Sequence, residues 1–270
     1  MEVVVQASEL VEALSADLAA ERAALAALLE PLDPAGWATV TPSAPWTVRD
    51  QVAHLGTVDR LAIVAATDRD AWNAEVARAA ADFPAYEAER LIEGPDAPEV
   101  LDWWRAGWAE FDRVYTGLPA GTRVPWYGPA MSATSMFTAR LMETWAHGQD
   151  VVDGLGLRRE PTDRLRHVCH LAVRARPYAY AMRGLRPPDT PVRVELTLPS
   201  GAPWHAGEGA DLVTGTAEDF CLVLTRRRHV ADTGLTAAGP HAEEWLRIGQ
   251  AFAGPSGPGR RPGQFARSTA

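Results

Sequence analysis

Two short segments carry the residues best suited to chemistry. In METWAHGQD, Glu143 and His147 stand four apart on a stretch with strong helical character. Residues at i and i+4 stack on one helix face, so a carboxylate and an imidazole there can grip a single ion. In PWTVRDQVAHLG, His54 sits one and a half turns into another helix, between apolar Val52, Ala53 and Leu55. Alone, such a histidine reads as a hydrogen-bonded core residue, and a Glu-x-x-x-His pair alone reads as a solvated salt bridge. Helices facing each other in a four-helix bundle would bring the three together. Two imidazoles and one carboxylate would leave coordination positions open for water or a ligand.

Other reactive residue types offer less. His167 and His170 flank Cys169 too tightly on a helix to chelate, and they read as structural or surface residues. His205, His229 and His241 are isolated, and Ser132 and Ser135 have no nucleophile elbow. Asp150 follows His147 by three, placed either to accept an imidazole N–H or to close a helix end. Arg226, Arg227 and Arg228 end a predicted helix, where cations suit the macrodipole. Most of the 10 tryptophans should be core. Trp46, just ahead of the His54 helix, is the candidate to wall a pocket.

Composition removes several classes. All 26 basic residues are arginine, so no Schiff-base lysine or P-loop lysine exists. A net charge of -9 disfavours a nucleic-acid backbone as partner. Cys169 and Cys221 cannot build a disulfide framework or a four-cysteine zinc site. The start MEVVVQASELVEAL lacks signal-peptide features, and no apolar run approaches the ~20 residues that span a bilayer. A cytoplasmic protein without a membrane partner is the expectation.

The elements follow from periodicity. Leucines at 10, 14, 18, 25 and 28 form a helix stripe over 7–30. Thr47 with Asp50 resembles a capping box opening a helix to about residue 66. Residues 67–97 read as a long, partly helical connection, of the kind that is often functional. Leu101, Trp104, Trp108, Phe111 and Tyr115 share one face of a helix over 98–117, and Ser132 or Thr134 caps a helix ending near Asp153-Gly154. A fifth helix is expected over 163–182. Strands are expected over 192–198 and 211–214, and helices over 217–228 and 241–252. The fold class is thus mainly α: a helical bundle over 1–155, an α+β module over 156–254, and a glycine- and proline-rich tail over 255–270, expected to be disordered.

With PWTVRDQVAHL, METWAHGQDV and VTGTAEDFCLVLTRR, the chain resembles the DinB-like superfamily of metal-binding four-helix bundles, and within it the mycothiol-dependent maleylpyruvate isomerase type. The resemblance covers nearly the whole chain. It implies a divalent metal, zinc by expectation, on His54, Glu143 and His147, with mycothiol as thiol cosubstrate. It implies further that the C-terminal module roofs the metal pocket. Arg227 there would hold an anionic small-molecule substrate, and Trp46 would line the cofactor pocket. The implied activities are cis–trans isomerisation and thiol S-transfer. Metal-dependent hydrolysis and non-catalytic small-molecule binding are the alternatives.

Overall fold

The computed structural model describes residues 2–255 and 257–265, with side chains described from Ser8 onward. The chain forms two compact units, Met1–Arg158 and Arg159–Ala270. The first holds α1 (Glu2–Leu29), α2 (Pro34–Trp37), α3 (Val48–Thr67), α4 (Arg69–Ala81), α5 (Phe83–Ala85), a π-helical turn over Tyr86–Arg90, α6 (Glu99–Thr116) and α7 (Ala133–Gly154). The second holds α8 (Leu165–Arg174), α9 (Arg176–Ala181), β1 (Val192–Thr197), β2 (Pro203–Ala206), β3 (Asp211–Thr216), α10 (Ala217–Leu224), β4 (Thr236–Ala238) and α11 (Pro240–Ile248). A short 3₁₀ turn spans Val230–Asp232.

α1, α3, α6 and α7 make the four-helix bundle. α1 and α3 lie diagonally, each packed against both α6 and α7. The pattern of the sequence explains the faces. Leu25 and Leu29 of α1 meet Val48, Val52 and Leu55 of α3, Leu101 and Trp104 of α6, and Val151 of α7 in one core. α3 starts where expected. The Thr47 side chain accepts from the Asp50 N–H, and the Asp50 carboxylate accepts from the Thr47 N–H in return. Ser132, rather than Thr134, caps α7 by accepting from the Ser135 N–H. No helix among the described residues is long and apolar enough to cross a membrane.

Charge also sits inside this bundle. Asp59 of α3, 2% exposed, accepts from Arg22 of α1 at 3.0 Å, from Arg140 of α7 at 2.8 Å and from the indole of Trp104 of α6 at 3.3 Å. One carboxylate thereby ties all four helices. Arg140 also donates to the Leu55 carbonyl. Burial alone would push the Asp59 carboxyl up, but Arg22 and Arg140 outweigh it and hold its pKa below the usual value.

The second unit is a four-stranded sheet in the order β2-β1-β3-β4. β1 and β3 are parallel in the register Val194↔Val213, and β2 and β4 flank them antiparallel. β1 alternates, burying Val192, Val194 and Leu196. Several boundaries differ from expectation for identifiable reasons. The helix expected over 163–182 breaks at Ala175, because Pro177 has no N–H to continue the ladder. The helix expected to reach 228 ends at Leu224. Arg226 adopts a left-handed φ of 65°, and the Arg227 N–H closes back on the Leu222 carbonyl. α11 stops at Ile248, short of Gly249. β2 and β4 are edge strands of four and three residues, PWHA and TAA, too short to show alternation. Residues 257–265, within the segment expected to be disordered, have neither helix nor strand. They do make contacts: the Gly263 N–H donates to Asp232, and the Phe265 ring lies under the Arg228 guanidinium.

Asp59→Asn should be severe. It removes the charge that balances two buried guanidinium groups, and breaking such a set costs about 3–5 kcal/mol. Urea unfolding of the full chain measures it; a loss under about 1 kcal/mol would show that the carboxylate is dispensable. The same carboxylate makes stability acid-sensitive. Its folded pKa is depressed, so its contribution is complete above the unfolded value of about 3.9 and is lost as pH falls through the folded one.

Candidate metal centre

α3 and α7 are neighbours in the bundle, and this juxtaposition brings His54 to His147. Their ring centroids are 4.5 Å apart. Glu143 lies one turn before His147 on α7, and its Oε2 is 3.1 Å from His147 Nε2. One potential ligand atom from each of the three residues falls within 4.8 Å of the others. Both histidines are nearly buried, at 9% exposure, and the Glu143 side chain at 22% faces the more open side.

The outer nitrogens fix the inner ones. His54 Nδ1 donates to the Leu91 carbonyl at 3.2 Å, and His147 Nδ1 donates to Gln51 Oε1 at 2.6 Å. Both acceptors are carbonyl oxygens, so each Nδ1 carries a proton and each Nε2 keeps its lone pair for the cluster. Gln51 is itself held. Its amide donates to Thr41 Oγ1, and that hydroxyl donates to the Trp46 carbonyl. The Trp46 ring closes the loop, 4.9 Å from the His54 ring and stacked at 6.0 Å on His147.

Nε2 of His147 and Oε2 of Glu143 are then two lone-pair atoms in contact. That contact is favourable only with positive charge in it, a proton on the imidazole or a metal ion. Burial would raise the Glu143 pKa, but the His147 hydrogen bond and charge, then Arg140 and His54, bring it down to about 2. His54 is held well below its ordinary value, first by burial and then by His147, with Glu143 opposing. Two imidazole nitrogens and one ionised carboxylate are the donor types that zinc and similar divalent ions take. The residues therefore fit a divalent cation.

Residue spacing singles out the three side chains but not what orients them. The acceptor on Nδ1 of His147 is Gln51, whereas spacing leaves Asp150 as either such an acceptor or a helix-end charge. Gln51 stands three before His54 on the same helix, and that signal was available. The Leu91 carbonyl had none, since it comes from the irregular end of the 67–97 connection. Arg227 lies in the second unit just past α10, half-buried, with Nη1 donating to the Thr225 carbonyl at 2.7 Å. Cys169 and Cys221 are buried together in that unit, Sγ to Sγ 3.5 Å apart.

A family profile described as the mycothiol maleylpyruvate isomerase N-terminal domain matches residues 18–152, which hold α3, all but the last two residues of α7 and all three candidate ligands. The chain belongs to this family. An uncharacterized protein present in two strains of Mycobacterium tuberculosis is 46% identical over 250 residues, covering 91% of this chain and 97% of the relative. Crystal structures of the mycothiol-dependent maleylpyruvate isomerase and of a histidine-to-alanine mutant of it share the fold. They align with TM-scores of 0.50 and 0.51 at 16% and 18% identity, covering 86% of this chain and 95% of theirs. The likeness bears out the mainly α fold class with a C-terminal α+β module.

In the metal-free protein His54 should stay neutral well below pH 6.5, which nitrogen-detected NMR of the ring reads directly. The sign for stability follows. The unfolded chain takes up a proton near pH 6.5 and the folded chain only lower, so stability is complete above about 6.5 and falls as pH drops toward the folded value. His54→Gln, which cannot titrate, should flatten that slope. An unchanged slope would show that His54 is not the group responsible.

Proposed function

We propose that this chain is a metal-dependent enzyme that uses a low-molecular-weight thiol, mycothiol, against an electrophilic small molecule. Cis–trans isomerisation like that of maleylpyruvate isomerase is the leading reaction, with thiol S-transfer beside it. The observation that carries this is the donor set: His54 Nε2, His147 Nε2 and a Glu143 oxygen converge from two rigid helices, each histidine locked in orientation by its outer nitrogen. Three protein ligands are the number a catalytic divalent site uses while leaving a position open.

A divalent ion in that group would lower the pKa of a thiol at the open position, making thiolate available at neutral pH. The rest falls to side chains. Gln51 and the Leu91 carbonyl keep the two imidazoles in the tautomer that can ligate. Trp46 covers their flank and limits water on that side. The planar fork of Arg227, in the second unit, has the chemistry to hold the carboxylate of an anionic substrate. Maleylpyruvate itself and larger anionic electrophiles both meet these requirements.

Two measurements test this. Metal content and cobalt titration of the purified chain should show one ion, and His54→Ala should weaken it at least about 100-fold, beyond the 10–100-fold typical of residues that only support a ligand. Mycothiol titrated by calorimetry in two buffers of different ionisation enthalpy should release about one proton per thiol at pH 7, because a free thiol of pKa about 8.5 is mostly protonated there. Full metal occupancy in His54→Ala would remove that ligand. A metal-loaded protein that binds the thiol with no proton release would sink the thiolate mechanism and leave metal-dependent hydrolysis in first place.

A further inference from the structure

The segment Leu91–Pro95 has no helix or strand, so its carbonyls need partners from elsewhere. All five find them on α3. Leu91 accepts from His54 Nδ1 at 3.2 Å, and Glu93 accepts from Thr57 Oγ1 at 2.7 Å. Ile92, Gly94 and Pro95 accept from the guanidinium of one residue, Arg49: Nη1 to Ile92 at 2.9 Å, Nη2 to Gly94, and Nε and Nη2 to Pro95 at 3.1 and 2.9 Å. Arg49 is anchored in turn by Asp50, at 3.2 Å, the residue that closes the capping box of α3. The rigid fork of donors is spent almost wholly on this one strip of backbone.

We propose that Arg49 is a positioning residue for the His54–Glu143–His147 group: it pins Leu91–Pro95 along α3 and, through the Leu91 carbonyl, sets which nitrogen of His54 faces the cluster. The inference rests on the metal-centre reading of those three side chains. His54 and Leu91 share a single bond, the longest in the strip, while Arg49 supplies four and Thr57 one. The strip is therefore placed by Arg49 and Thr57, and His54 takes its tautomer from where they put it. Arg49 stands five residues from His54, about 7.5 Å along the helix at 1.5 Å per residue, so it supports the ligand without touching the metal. Held this way, the Nδ1 proton stays outward and the Nε2 lone pair stays on the cluster.

Arg49→Ala in the full chain should weaken cobalt binding about 10-fold, the lower end for a residue that orients a ligand. Thr57→Val, losing one bond of the strip, should weaken it about 3-fold, and it stands in if Arg49→Ala does not fold. The decisive reading is the tautomer. Long-range proton–nitrogen NMR of the metal-free protein should show His54 wholly protonated on Nδ1 in the wild type and mixed between Nδ1 and Nε2 in the variants. A residue that merely stabilises the fold would leave that ratio alone. Unchanged tautomer and cobalt affinity within 2-fold in a folded Arg49→Ala would overturn the proposal. Should the wild type bind no cobalt, the metal-centre reading falls by itself; the tautomer comparison still decides whether Arg49 orients His54.

Discussion

Lone pairs pointed at one another must be held there by something else. His54, Glu143 and His147 converge with a carboxylate oxygen 3.1 Å from an imidazole nitrogen, an arrangement that relaxes outward unless a cation sits in it or the scaffold resists. The bundle resists. Asp59 and Arg140 join α3 to α7 between the same two helices that carry the candidate ligands, and Arg140 adds a bond to the Leu55 carbonyl beside His54. A buried charge set of this kind contributes little over apolar packing, yet removing one member is costly. Its use here is registration: the carboxylate can satisfy Arg22, Arg140 and Trp104 together in one setting of the helices, and that setting brings His54 opposite His147.

Much of this was legible in the sequence, and the reason is periodicity. The Thr47–Asp50 box fixes where α3 begins, and counting from it places Val52 and Leu55 in the core with His54 beside them. The four-residue step from Glu143 to His147 fixes one face of α7. What periodicity cannot supply is the partner of a polar atom across the fold. Gln51 stands three residues before His54 on α3, but its bond to His147 depends on the relative rotation of two helices. The Leu91 carbonyl lies in a stretch where side-chain spacing carries no information. In the second unit the same limit shows in β2 and β4, edge strands of four and three residues paired to β1 and β3, too short to be read from spacing.

The two histidines are treated alike by different means. Each sits on a rigid helix, and each sends its outer nitrogen toward an irregular segment. His54 reaches Leu91 directly, in a strip held by Arg49 and Thr57. His147 reaches the Thr41–Trp46 stretch through Gln51, and that stretch returns the Trp46 ring to its face. The helices thus fix where the candidate ligand atoms are, while the irregular segments fix which way their lone pairs point. Sequence change in either segment can retune the site without altering a candidate ligand. Because both segments also border the ligand cluster, the same residues that orient the imidazoles are placed to shape what approaches them.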